Sequence, residues 1–87
     1  MLFTRIQEDI IQYIINYGKD PLNKLIPCIE TFQHVFRGRY SKQEIEDNVD
    51  ELISRGILTP YSFHSYIELT ETFKSSQYYE LIKNKKK

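Results

Sequence analysis

The 87-residue sequence predicts a mainly α-helical domain with one small β-hairpin, and three local patterns carry this prediction. Ser41 and Glu44 have the spacing of a capping box and precede apolar residues at helical intervals. Gly56 follows where a helix would end in a left-handed residue. The chain then changes to strand-like runs at 57–59 and 66–69, the second with a period of two. The predicted architecture is a three-helix core, a two-stranded hairpin and a C-terminal helix.

The first helix is predicted to begin after Thr4, whose hydroxyl forms a second capping box with Gln7, and to end at Gly18. Its apolar side chains form a broad stripe that comprises Ile6, Ile10, Ile11, Tyr13, Ile14, Ile15 and Tyr17. This is more apolar surface than a three-helix core requires from one helix. Two explanations remain open: part of the stripe contacts a second subunit, or the small domain covers this helix on two sides.

The region 21–36 also has helical spacing after an N-cap at Asp20, but Pro27 interrupts it because an interior proline removes a hydrogen bond and clashes with the preceding turn. The alternatives are a kinked helix over this region, or a short turn at 21–25 followed by a helix from residue 27. Residues 37–40 then form a turn into the central helix, with Gly38 as its flexible point.

After the central helix, the first strand of the hairpin is expected to break at Pro60. Thr70 predicts the cap of one last helix, with Glu71 favourably placed in its first turn. Residues 83–87 contain four lysines and are expected to fray as a basic tail. The whole chain, 1–87, is predicted to form a single domain.

Two short segments in the second half of the chain have the forms Leu-x-x-x-Gly-Ile-Leu and Tyr-Ile-Glu-Leu-Thr-Glu. Their key residues are Leu52, Gly56, Ile57, Leu58, Tyr66, Leu69, Thr70 and Glu71. They resemble the segments that end the recognition helix and the wing in winged helix-turn-helix domains of the MarR and PadR families of small regulators. The resemblance covers about half of the chain. It implies a winged-helix fold and, as function, a small DNA-binding transcriptional regulator.

Composition sets the expected compartment. No run approaches the roughly 20 apolar residues of a membrane span, and the N-terminus lacks a signal-peptide pattern. Cys28 is the only cysteine, so it cannot form an internal disulfide. A cytoplasmic, reducing setting without membrane contact is therefore expected.

The sequence contains no catalytic constellation: it has no phosphate-binding Gly-rich loop, no G-x-S-x-G elbow and no H-E-x-x-H motif. Cys28 and His34 are poorly spaced for one helical face, and no second pair completes a zinc set. His64 is expected to be a turn residue. The carboxylates of the central helix are expected to form a solvated face. The prediction is a protein that is not an enzyme and has no metal site or cofactor.

Charge is distributed unevenly along this neutral chain. Residues 37–40 contain two arginines, whereas residues 41–56 contain five acidic and two basic side chains, a net charge of −3. Basic residues before a helix suit contacts with the DNA backbone, because helix-turn-helix proteins approach phosphates there. The first functional prediction is a regulator that binds duplex DNA as a homodimer paired through its first and last helices. Its predicted contacts are Arg37, Arg39 and Lys42 to phosphates and Gln43 to a base.

The alternative prediction is a protein–protein interaction module, either an adaptor or an inhibitor, that binds a basic partner. The exposed face of the central helix would direct three carboxylates at a groove lined by phosphates, which repels DNA. The hairpin loop contains no Lys or Arg but is aromatic, and aromatic residues are enriched at interface cores. Its aromatic rings could instead stack on single-stranded bases or fold back onto the core. The predicted partner-binding residues are Asp47, Asp50, Glu51, Tyr61 and Phe63.

Overall fold

The computed structural model describes residues 3–17, 27–61 and 66–84. Within these ranges the helices are α1 (Arg5–Tyr17), α2 (Ile29–Val35), α3 (Lys42–Ser54), α4 (Glu71–Lys74) and α5 (Gln77–Asn84), and the strands are β1 (Leu58–Tyr61) and β2 (Tyr66–Leu69). The two strands form an antiparallel sheet. The predicted class, mainly α with a small hairpin, is confirmed. No helix in the described ranges has the length and apolar character needed to cross a bilayer.

The helices start where the sequence predicts their caps. In α1, the Thr4 N–H donates to Gln7 Oε1 at 3.1 Å, and the Gln7 N–H donates to Thr4 Oγ1 at 3.3 Å. Ser41 and Glu44 form the same reciprocal pair before α3, and Thr70 Oγ1 accepts the Phe73 N–H at 3.1 Å before α4. Each cap satisfies backbone donors that the first helical turn leaves without partners.

The structure supports the alternative in which the second helix begins only after Pro27. α2 begins at Ile29, shortly after Pro27, with Cys28 in an extended conformation before it. Gly38 in the following turn has φ of +88°, as its expected role as a flexible point requires. The predicted helix end at Gly18 and the predicted turn at 21–25 lie outside the described residues.

The hairpin differs from the prediction at Pro60. The expected break there is wrong, because β1 continues through Pro60 to Tyr61. Ile67 lies opposite Pro60 but donates its N–H to the carbonyl of Pro27 at 2.8 Å, away from β1. This pair therefore exchanges no backbone hydrogen bonds, and the Pro60 nitrogen faces the open edge of β1, where proline is tolerated.

The last helical region also differs, since the single predicted helix is divided into α4 and α5 at Ser75 and Ser76. The Ser76 hydroxyl donates to the Phe73 carbonyl at 2.7 Å, and the Ser76 N–H donates to the same oxygen at 2.9 Å. Serine competes in this way with helical hydrogen bonds, so the chain turns before α5 begins. α5 includes residues 83–84 of the tail that was expected to fray, and 85–87 lie outside the described residues.

The core explains the broad apolar stripe of α1. α1 and α2 both pack against α3, while α5 packs against α1. Gln12 Nε2 also donates to the Ile82 carbonyl of α5 at 2.8 Å. The fully buried residues of the core are Ile10, Ile11, Phe32, Ile45, Val49, Leu52, Leu58 and Ile67. Within the described residues, the stripe is therefore covered on two sides by the same chain, as the second explanation proposed. Dimerisation stays a prediction.

Candidate interaction surfaces around the central helix

The orientation of α3 is determined by its inner face, where Ile45, Val49 and Leu52 are at most 1 % exposed. Because a helix repeats every 3.6 residues, the side chains between them point outward. The outward carboxylates are all exposed. We call the surface formed by Asp47, Asp50 and Glu51 the acidic face.

The acidic face retains most of its charge. Gln43 Nε2 donates to Asp47 Oδ1 at 2.8 Å, but an amide does not neutralise a carboxylate. Arg55 Nη1 lies 3.8 Å from Glu51 Oε2, a long contact at the surface. Among the described residues, Asp47 and Asp50 have no ion-pair partner. The face is therefore negative, and Gln43, the predicted base reader, is hydrogen-bonded to it.

The turn before α3 is attached to α1 through Asp9. Arg39 Nη2 lies 2.8 Å from Asp9 Oδ2, and the Tyr40 hydroxyl donates to the same oxygen at 2.6 Å. The Arg39 guanidinium also lies 5.7 Å from the Phe36 ring centroid and 5.4 Å from that of Tyr40. Burial, together with the hydrogen bond to Asp9 and its charge, raises the pKa of Tyr40. Asp9, which the sequence analysis did not identify, thus orients a predicted DNA-binding residue.

The other two predicted phosphate-binding residues, Arg37 and Lys42, are exposed. Neither forms an ion pair with another described residue. Lys42 is the first residue of α3, which Ser41 caps, and Arg37 belongs to the turn before the helix. Of the four predicted DNA contacts, two are therefore available and two are bound to carboxylates of the same chain.

The outer face of the hairpin carries Tyr61 and Tyr66, which lie opposite each other across the strands. Tyr61 is 49 % exposed and its ring centroid is 6.1 Å from that of Tyr66. Of the alternatives left open for the aromatic residues of the hairpin loop, Tyr61 therefore does not fold back onto the core. A hydrogen bond to Glu68, with burial, raises the pKa of Tyr66 to about 12. The predicted partner-binding residue Phe63 and the turn residue His64 lie outside the described residues.

A partly buried polar network that the sequence analysis missed joins α1 to α3. Gln7 is only 1 % exposed and donates Nε2 to Asn48 Oδ1 at 3.0 Å. Asn48 in turn donates to the Glu44 carbonyl at 2.7 Å, and Arg55 Nη1 donates to Gln7 Oε1 at 3.4 Å. The capping pattern identifies Gln7 correctly but gives it only a local role, because residue spacing contains no information about a partner on another helix.

The described residues offer few groups suited to metal binding or nucleophilic chemistry. In the part of the chain that the structure describes, no three His, Cys, Asp or Glu side chains are placed to hold a metal ion. Cys28 is half-buried, with Sγ 3.3 Å from Thr31 Oγ1. No protein-family model matches the chain, and comparisons with curated proteins and with solved structures found no match. A function must therefore be argued from the surfaces described above.

Proposed function

We propose that the chain forms a winged helix of the type that its resemblance to the MarR and PadR families implies. The order of α1, α2, α3 and hairpin supports this fold, as does the packing of α1 and α2 on α3. The bond from Ile67 to the Pro27 carbonyl extends the hairpin on its second side, directly before α2. α4 and α5 would then correspond to the C-terminal helix that follows the wing.

We further propose that this domain is a protein–protein interaction module that binds a basic partner through the acidic face of α3. The observation that carries the proposal is the exposure of three carboxylates on the helix that a DNA-binding winged helix would insert into the major groove. Complementary charge steers association and selects partners, whereas phosphates would be repelled by this face. The free thiol of Cys28 supports placing the domain in a reducing, cytoplasmic setting.

A charge reversal on α3 tests this proposal. Asp47→Lys combined with Asp50→Lys should weaken the binding of a basic partner at least tenfold, because attraction is replaced by repulsion. Glu30→Lys combined with Glu80→Lys is the matched control, since it makes the same charge change at exposed sites on α2 and α5. Partners captured by the immobilised wild-type chain would be purified and titrated against both variants. Equal loss in the two variants would refute a docking role for the acidic face.

The second candidate is a dimeric regulator that binds duplex DNA. It is favoured by Arg37 and Lys42, which are exposed beside the start of α3, and by Arg39, whose side chain is 52 % exposed despite its contact with Asp9. Such positions suit contacts with phosphates. Pairing of two copies is supported by α5, whose outer side exposes Tyr78 (39 %) and Leu81 (60 %).

Fluorescence anisotropy with random duplex and single-stranded DNA, from about 20 to about 200 mM salt, separates the two candidates. A DNA-binding regulator should lose affinity steeply with salt, and Arg37→Ala with Lys42→Ala should flatten that dependence. Lack of binding at the lowest salt would eliminate this candidate. Light scattering on the wild type and on Leu81→Glu tests the dimer, which the substitution should dissociate.

A further inference from the structure

The outer side of α5 carries two apolar side chains that the rest of the domain leaves uncovered. Tyr78 is 39 % exposed, and Leu81 is 60 % exposed, more than any other large apolar side chain among the described residues. The two residues are three positions apart on one helix, so they are neighbours on its surface. This side of α5 therefore presents a branched apolar side chain beside an aromatic ring with a polar hydroxyl.

The opposite side fixes α5 to the domain. Ile82 is 3 % exposed, and its carbonyl accepts a hydrogen bond from Gln12 Nε2 of α1 at 2.8 Å. The Tyr79 ring lies edge-on to that of Phe73, with the ring centroids 6.0 Å apart. The exposed pair consequently cannot turn inward unless these contacts break.

Positive charge is concentrated at the end of the same helix. Lys83 is exposed, and its Nζ lies 5.6 Å from the centroid of the Tyr79 ring. Residues 85–87, which lie outside the described residues, are three further lysines in the sequence. Within α5 the acidic residue is Glu80, which is exposed. Because the whole chain is neutral, an anionic surface attracts it only where positive charge is locally in excess.

We propose that the outer side of α5, together with the lysines of 83–87, attaches the domain to an anionic lipid bilayer. Leu81 enters the boundary between headgroups and acyl chains, while Tyr78 lies at the headgroup level that suits its amphipathic ring. Each lysine near an anionic membrane strengthens binding about fivefold. Attachment from one side needs no spanning helix, but it departs from the expectation that the chain makes no membrane contact. It is independent of the proposed docking function.

A second copy of the chain fits this face less well than a bilayer does. A stable protein interface buries roughly 800 Å² on each partner. One whole aromatic side chain supplies about 150–250 Å², and Tyr78 and Leu81 are both partly covered already. Pairing through this face alone would also bring two sets of lysines together, and like charges oppose that approach. Anionic headgroups instead neutralise the same lysines.

Sedimentation of the full chain with lipid vesicles tests the charge requirement. Vesicles that mix phosphatidylcholine with phosphatidylglycerol should bind the chain at least tenfold more tightly than vesicles of phosphatidylcholine alone. Replacing the three lysines of 85–87 by Gln should weaken this binding by roughly 100-fold. Arg5→Gln combined with Arg37→Gln and Lys42→Gln is the matched control, because it removes the same charge at exposed sites away from α5. Equal binding to both kinds of vesicle, or equal losses in the two variants, would overturn the proposal.

The entry of α5 into the bilayer is measured separately. The chain contains no tryptophan, so Leu81→Trp introduces a single fluorescent indole at this face. Its emission should shift to shorter wavelength on the mixed vesicles and should be quenched by brominated acyl chains. Val35→Trp, at a 37 % exposed position on α2, is the control and should show neither change.

Two results with these tryptophan variants would refute entry into the bilayer. Vesicle binding that leaves the emission of Leu81→Trp unchanged would mean that the lysines act by charge attraction alone. A short-wavelength emission before vesicles are added, together with a dimer in light scattering, would assign this face to a second copy of the chain.

Discussion

The two faces of the segment 41–69, which contains α3 and the hairpin, differ in burial and in residue type. The inner face is buried to within a few per cent and includes Val49, Leu52 and Ile67. Every one of these side chains contacts the rest of the same domain. The outer face carries carboxylates and tyrosines that are exposed or only partly covered. The inner face therefore determines whether the chain folds, and the outer face determines what it binds.

The largest effect should follow from a cavity on the inner face. Leu52→Ala should lower the free energy of unfolding by about 2–5 kcal/mol, because Leu52 is fully buried and its neighbours cannot fill the space. Urea denaturation followed by circular dichroism measures the change. Glu51→Ala, one position away on the acidic face, should change the free energy by less than about 0.5 kcal/mol. Similar losses in both variants would contradict the division into two faces.

A smaller loss of stability is expected when the side-chain hydrogen bond between α1 and α3 is removed. Gln7→Ala should lower the free energy of unfolding by about 1–3 kcal/mol, since it leaves Asn48 Oδ1 without its buried donor and removes half of the α1 capping box. Gln77→Ala, at an exposed position, is the control. Thermal unfolding of the two variants makes the comparison, and equal midpoints would show that the Gln7 network contributes no stability.

The contribution of Tyr66, on the outer face of the hairpin, to the stability of the fold should depend on pH in the alkaline range. The pKa of Tyr66 is raised from 10 to about 12, so its bond to Glu68 stabilises the fold fully below about pH 10 and is lost as the pH rises through about 12. Glu68→Gln should bring this pKa back toward its ordinary value. The difference in unfolding midpoint between wild type and variant should shrink over this window. A constant difference would mean that the Tyr66 hydroxyl does not ionise as the geometry requires.

The smallest change in stability is expected at the junction of the turn with α1. Asp9→Asn should cost less than about 1 kcal/mol, because the bond from Arg39 is largely exposed. It should also lower the pKa of Tyr40, since the hydrogen bond to Asp9 and its charge both raise that pKa. Absorption spectroscopy of tyrosine ionisation detects this shift. If the DNA candidate is correct, the released Arg39 should also bind duplex more tightly, and unchanged anisotropy would instead favour the docking candidate.

Local signals in the sequence predicted local structure correctly. The caps at Thr4, Ser41 and Thr70 involve partners three residues away, so spacing alone identifies them. The same periodicity located the acidic face. Two predictions were wrong because local contacts outweighed a general rule. Pro60 is tolerated within β1 because its nitrogen faces the open edge of the sheet. The last helix is divided because Ser76 donates two hydrogen bonds to the Phe73 carbonyl.

Contacts between distant segments were not predictable. The pairing of Arg39 with Asp9 and of Gln7 with Asn48 depends on how α1 packs against α3 and the turn before it. Residue type and position in the sequence therefore identified candidate DNA-binding residues. They did not show that two of these residues form hydrogen bonds with carboxylates of the same chain. The groove lined by Ile14, Leu69, Lys74 and Tyr79 has a similar origin, because its walls come from four separate elements.

The position of Pro60 has a consequence for association between chains. A two-stranded sheet has two open edges, and unpaired backbone groups at such edges are templates for strands of other molecules. A strand added beside β1 would find no N–H donor at Pro60, and one added beside β2 would find the Ile67 N–H already bonded to Pro27. Both edges thus lack one of the donors that a growing cross-β assembly requires, so the aromatic hairpin is protected against aggregation through its backbone.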